Sequence, residues 1–427
     1  MKRAALALLL SLASHTPTSV YAHGSLPIAQ QIYWQGDTMM VPAAYWGLFI
    51  GTEGGPWRWI CEEAINLNQQ RKWAILSDGT LFATDRTGVS VSRDAGCSWG
   101  TVSAPVNTLD AVAITADPTK PRVWVLANDS AAGKDSGLWF SDDQGRTWQQ
   151  SHALATELPA GLAISADGRT VLVSAMTQDM PRKAVLYTSK DGGASFVPRM
   201  LSEPVDGKPF YSFAPVFIDP RATDRVFLRV PMDAGDVLLR SEAGGPFTEA
   251  MRTPGKIQEV QLDAASDQLF VATTKGLFAA KATAALAPLP SLSSAQCVSP
   301  HNGTLYACAW NYAPDQAAIA RLSSDASSFT KVFQFHDTKE PLACPPETPV
   351  SKICPGIWRQ YADQLGIDLD QRSSPTETPM NSGGCQAATG TTARGPISPL
   401  ILFLAALPAL WLRRRREHPR ALPRPAR

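Results

Sequence analysis

The feature that most constrains this 427-residue chain is an octapeptide that recurs. Ser92-Arg93-Asp94-Ala95-Gly96-Cys97-Ser98-Trp99, Ser141-Asp142-Asp143-Gln144-Gly145-Arg146-Thr147-Trp148 and Ser189-Lys190-Asp191-Gly192-Gly193-Ala194-Ser195-Phe196 all fit Ser-x-Asp-x-Gly-x-Ser/Thr-aromatic. Each follows a short apolar segment, at 88–91, 137–140 and 185–188. Degenerate copies stand at 240–247 and 323–329, another near Glu53 and Trp57, and 276–281 keeps only the apolar segment. The aromatic anchors Trp57, Trp99, Trp148, Phe196, Phe247, a point near 287 and Phe329 then recur with a period in the forties, about 40 to 51 residues. That is the length of one four-stranded propeller blade. Short runs such as 122–126, 170–174 and 225–228, rich in β-branched and aromatic residues and separated by turn residues, supply the other strands. The spacing predicts an all-β fold: a β-propeller of seven four-stranded blades from about Ile28 to about Phe335, with 23–343 as its domain.

The chemistry of the octapeptide explains its recurrence. The Asp carboxylate accepts backbone N–H groups across a tight turn. Gly takes a positive-φ position, the Ser or Thr hydroxyl adds a local bond, and the aromatic packs between blades. Ser92, Asp94, Gly96, Trp99, Ser141, Asp143, Gly145, Trp148, Ser189, Asp191, Gly193 and Phe196 are therefore expected to be scaffold, with Asp143 no nucleophile. The octapeptide resembles the Asp-box of sialidases, sortilin-type receptors and many bacterial surface propellers. That resemblance implies the propeller fold and leaves two functions open. A sialidase-like enzyme would carry an arginine triad, a Tyr–Glu pair and an acid Asp. The Arg-Ile-Pro phrase of those enzymes is absent, and Arg229-Val230-Pro231 sits in mid-chain. Arg58, Arg182 and Arg240 are not set apart by spacing. A glucanase-like propeller would use paired carboxylates, and Asp110, Asp117, Asp219 and Asp233 are loop candidates without a distinguishing signature. No Gly-x-Ser-x-Gly, His-Glu-x-x-His or phosphate loop occurs. The expectation is a non-catalytic recognition or structural propeller that binds an unknown protein or glycan. A surface glycoside hydrolase on the same scaffold is the alternative. Tyr33-Trp34, Tyr45-Trp46, Tyr211-Ser212-Phe213 and Trp310-Asn311-Tyr312 are aromatic contact candidates. A third reading, an assembly factor resembling the exported photosystem II propeller, shares the repeat but fits the chain ends poorly.

Those ends read as targeting segments. Lys2 and Arg3 precede an apolar run to Ala13, and Val20-Tyr21-Ala22 fits signal peptidase, so 1–22 is expected to be a signal peptide cut after Ala22. His23 would then be a mobile N-terminus without a second ligand. Residues 371–396 are rich in Ser, Thr, Pro and Gly and read as a stalk. Residues 397–412 are mostly apolar and short for a membrane span. The Arg-rich tail 413–427 would stay cytoplasmic. Gly384-Cys385, the apolar stretch and the Arg cluster resemble the MYXO-CTERM sorting signal of myxobacteria. That resemblance implies processing near Cys385 and display on the cell surface; the alternative is that 397–412 stays as a plain single-pass membrane anchor. The ends also carry the positive charge. The tail holds seven Arg and one Glu, the leader Lys2 and Arg3; removing this +6 and +2 from the total of +1 leaves −7 on 23–412. An acidic body argues against nucleic acid as a partner.

Export permits disulfides. Cys61 and Cys97 occupy comparable places in adjacent blades and are expected to pair. Cys297 and Cys308 flank the turn His301-Asn302-Gly303-Thr304 and pair across it. Cys344 and Cys354 bracket a Pro-rich loop and pair locally, within an edge module, 344–370, whose short helix is expected at 357–365. Cys385 is left for sorting. No Cys-x-x-Cys occurs and none of the six His has a ligand-like neighbour, so neither metal nor cofactor is expected.

Overall fold

The computed structural model describes residues 26–369, apart from 67–71, 131–133, 203, 208–209, 211, 264–266, 282–286 and 290. The expected cleavage site at Ala22, Cys385, the stalk, the apolar segment 397–412 and the tail all lie outside the described residues. No helix among the described residues is long and apolar enough to cross a membrane.

Seven antiparallel sheets form a β-propeller. The blades occupy 33–60, 72–101, 110–153, 157–201, 214–252, 257–289 and 297–333. The sixth is the blade without an octapeptide, and its outer strand Ala287–Leu289 lies where the spacing placed it. In each blade the middle strands are the most apolar, as in Val123–Asn128 and Val171–Thr177, because neighbouring blades cover both their faces. The outer strands are exposed and polar, as in Gln149–Ala153.

The octapeptides form the turns between third and fourth strands. In one, Asp143 Oδ1 accepts from the backbone N–H of Arg146 and Thr147 and from the Ser141 hydroxyl, while Oδ2 accepts from the Thr147 hydroxyl at 2.7 Å. Asp94, Asp191 and Asp325 repeat the pattern with Ser98, Ser195 and Ser327. Against the cost of desolvation, the bonds from Thr147, Ser141 and Arg146 hold the Asp143 carboxyl down at about 2. The fifth residue is Gly for two reasons. Gly193 has φ +87, and a Cβ there would lie 2.6 Å from Cη2 of Trp124 in the preceding blade. Gly145 and Gly96 are pressed in the same way against Phe82 and Ile60, so each turn also sets the distance to the blade before it.

The ring closes at its ends. After the seventh blade, Thr338–Pro341 adds a fifth strand to the outer edge of the first blade, parallel to Trp57–Ile60. Trp57 stacks on Phe333 of the seventh blade at 3.9 Å between centroids. The helix Pro349–Leu365 then packs Trp358 and Tyr361 against Trp59, and the Tyr361 hydroxyl donates to Glu63. This helix is longer than expected and contains Pro355.

The cysteine pairing corrects the sequence expectation. Cys61 bonds Cys354 and Cys97 bonds Cys344, in place of Cys61–Cys97 and Cys344–Cys354. Cys297 and Cys308 face each other in register and are bonded. The physical reason is that 344–354 is not a self-closed loop. Cys354 sits within the helix, and the segment lies across the first two blades, so each of its cysteines meets one from a blade.

These contacts have measurable consequences. Gly193→Ala should cost about 2–4 kcal/mol in denaturant unfolding, from clash plus left-handed strain. Gly207→Ala, equally left-handed but in open space, should cost about 1 kcal/mol. Asp143→Asn should cost about 1–2 kcal/mol at pH 7 after allowance for solvent screening. Because the folded carboxyl titrates below its unfolded value of about 4, its contribution is complete above pH 4. It is lost as pH falls towards 2, where variant and parent melting curves should converge. Digestion under non-reducing conditions should yield Cys61–Cys354 and Cys97–Cys344 peptides. Replacing Cys61 and Cys354 by Ser should cost about 2–5 kcal/mol.

Candidate ligand channel

Each blade has four antiparallel strands, so all seven innermost strands run in one sense. The octapeptide turns and the turns that follow the innermost strands therefore share one face of the ring. Residues that begin the innermost strands lie at the opposite mouth. The ring encloses an axial cavity of about 790 Å³, within the range of small-molecule sites.

Its walls are of two kinds. The third, fourth and fifth blades present small and apolar side chains, among them Ile114, Leu162, Val216 and Phe217. Gly161 permits this wall to close, since a Cβ there would lie 2.8 Å from that of Ala214. The remaining arc carries amides and charge. Gln30 and Gln31 precede the first blade, Lys72 opens the second, Gln258, Glu259 and Gln261 lie on the sixth, and Gln296 precedes the seventh.

Glu259 joins three blades. Its Oε1 accepts from Gln261 Nε2 at 3.0 Å and from Gln31 Nε2 at 3.4 Å, and its Oε2 accepts from the Val298 backbone N–H at 3.0 Å. Burial pushes its carboxyl up to about 7, although those bonds and Lys72 favour the ionised form. The Tyr33 hydroxyl lies 2.6 Å from Gln31 Oε1 and 2.7 Å from the Trp73 carbonyl, and burial together with Glu259 raises its pKa. Lys72 is different. Its side chain is exposed to the channel, and desolvation by the surrounding wall and repulsion from Arg229 push its ammonium down, with Glu259 opposing. Among the described residues it has no hydrogen-bond or ion-pair partner within reach. Behind the wall, Arg229 Nε donates to Asp236 at 2.7 Å, and Lys256 lies 3.5 Å from the same buried carboxylate.

The residues singled out from sequence do not converge here. Asp117 closes a turn, accepting from Thr119 and from Trp124 Nε1. Asp219 is buried and held by Arg221 and Arg225. Asp233 is exposed and Asp110 opens the innermost strand of the third blade. Arg58 pairs with Glu340, Arg240 with Glu242, and Arg182 is exposed. Among the aromatics, Trp46 and Phe213 are core, Trp34 stacks on His301 at 3.7 Å, Tyr45 is exposed, and Trp310 contacts Tyr312 edge-on. Tyr211 lies outside the described residues. Lys72 and Glu259 were missed. A usable signal existed: 258–261 reads Gln-Glu-Val-Gln where 111–114, 159–164 and 214–218 hold only Ala, Gly, Pro and larger apolar residues. Among the residues lining the cavity Glu259 is the single carboxylate, and among the described residues no group of His, Cys, Asp or Glu is placed to hold a metal.

No family model matches the chain, and no curated protein matches it. Solved structures are similar to it at low identity. A GH74 xyloglucanase from Xanthomonas campestris is 14% identical with a TM-score of 0.48, over 75% of this chain and 61% of that enzyme, so the chain spans about three fifths of its length. YCF48 from Cyanidioschyzon merolae is 10% identical, TM-score 0.48, over 66% and 92% of the two chains. The Dos1 propeller is 10% identical, TM-score 0.46, over 66% and 76%.

Proposed function

We propose that this chain is an exported recognition module, displayed at the cell surface, that seats the end of a glycan in its axial channel without cleaving it. The observation that carries the reading is the two-sided wall with one carboxylate. An aliphatic arc suits the C–H faces of sugar rings, and an opposing arc of amides suits their hydroxyls, since Gln30 and Gln296 each offer two donors and an acceptor. A glycosidase needs a second carboxyl group roughly 5–9.5 Å from the first, and Glu259 stands alone in the channel lining. Three disulfides support an oxidising compartment. The N-terminal and C-terminal segments support export and surface attachment.

The first test joins address to activity. Protein recovered from its host surface should begin at His23 and end near Cys385 by mass spectrometry. On an oligosaccharide array it should retain glycans, and prolonged incubation should release no reducing ends. A chain running intact to Arg427, or steady release of sugar, would overturn surface sorting or the non-catalytic reading respectively.

A further inference from the structure

The channel mouth has a charge pattern that recognition of a neutral sugar does not call for. Lys72 projects into the cavity without a hydrogen bond or ion pair among the described residues. Lys72 is the single cation among the lining residues, and its side chain is exposed, so its ammonium is open to a ligand in the cavity. Asp236 is shared by Arg229 and Lys256, and Glu259 is occupied by three N–H donors. Neither carboxylate contacts Lys72. This accessible cation stands in a body whose net charge, from sequence, is −7.

Building on the glycan reading above, we infer that the channel takes an acidic saccharide, its anionic substituent facing Lys72 at the mouth opposite the octapeptide turns. The sugar hydroxyls meet Gln30, Gln31 and Gln296 beside it, and the ring lies against the aliphatic arc. Carboxylate of a uronic acid and sulfate ester share the chemistry that Lys72 requires, and the test separates them. Lys72 is here a specificity-determining residue, and Glu259 modulates it. Around Glu259 stand Lys72, Tyr33, Gln31, Gln261 and the Val298 N–H, so its charge acts on an anion beside Lys72. Since Glu259 titrates near 7, lowering pH from 8 to 6 removes a negative charge from the site while a carboxylate or sulfate stays ionised. Anion affinity should therefore rise over that interval.

Titration calorimetry with the intact exported protein tests this, using trigalacturonate, its methyl ester, a sulfated chondroitin disaccharide and cellotriose. Trigalacturonate or the sulfated disaccharide should bind about tenfold or more tighter than the two neutral probes, and the tighter of the two acidic probes identifies the anion. Lys72→Met should abolish that preference, Lys72→Arg should retain it, and Glu259→Gln should remove the rise between pH 8 and 6. Melting curves show that each variant is folded. Equal binding of acidic and neutral probes overturns this inference and leaves the glycan reading standing. An acid preference that survives Lys72→Met also overturns it. Failure of all four probes to bind overturns both.

Discussion

A propeller is stable only as a closed ring, and in this chain closure depends on the last thirty described residues. The seven blades are each complete by themselves, so no strand is exchanged between the first and last blades. Closure is instead external. A parallel strand, Thr338–Pro341, is laid on the outer edge of the first blade, and two disulfides fix the helix that follows. The sequence separations across those bonds are 293 and 247 residues. On a chain-entropy reckoning the first such cross-link is worth about 5 kcal/mol. The two are not additive. Once Cys61 is joined to Cys354, bonding Cys97 to Cys344 closes a loop of only a few tens of residues. The second bond's main effect is therefore local: it fixes the strap to the second blade as well as the first and resists shear between them.

This division explains which parts of the fold were legible in the sequence. The octapeptides were legible because every residue in them answers a local demand: Asp143 caps N–H groups, Gly145 turns left-handed, Ser141 and Thr147 complete the turn. Three clear copies, three degenerate ones and the spacing of the blade that lacks one give blade number with no knowledge of contacts. The strap was not legible. Thr338-Lys339-Glu340-Pro341 has no alternating apolar face, because an edge strand added outside a blade needs only one buried position, Thr338. The disulfides misled for the same reason. Nearness in sequence favours Cys344 with Cys354, but the helix N-terminal turn at Pro349 carries them apart, and a non-local contact decides the pairing.

The channel obeys neither rule. Its lining comes from the innermost strands, where curvature demands small side chains and close approach, as at Gly161 and Ala214. Most of these positions are accordingly uninformative about ligands. Information appears where a strand departs from that demand. Gln258-Glu259-Val260-Gln261 keeps Val260 in the core while three polar side chains stand where the third, fourth and fifth blades run through apolar residues. Lys72, at the first position of its strand, is likewise larger and more charged than packing requires. Departures from the structural rule inside a repeat carry the functional signal; adherence to it, as in the Asp of each octapeptide, does not.

The placement of charge gives the departures a direction. An acidic body repels an anionic ligand over roughly a Debye length, about 8 Å at physiological salt. An accessible cation at one mouth, Lys72, lowers that barrier only there. The opposite face is occupied by octapeptide turns whose carboxylates are held ionised by their own hydrogen bonds, Asp143 and Asp325 at about 2. Those fixed negative charges serve the scaffold, and Arg93, Arg146 and Lys190 of the same octapeptides offset them. A ligand with one anionic group is therefore oriented by the accessible Lys72 beside the Gln arc, not by the turn face.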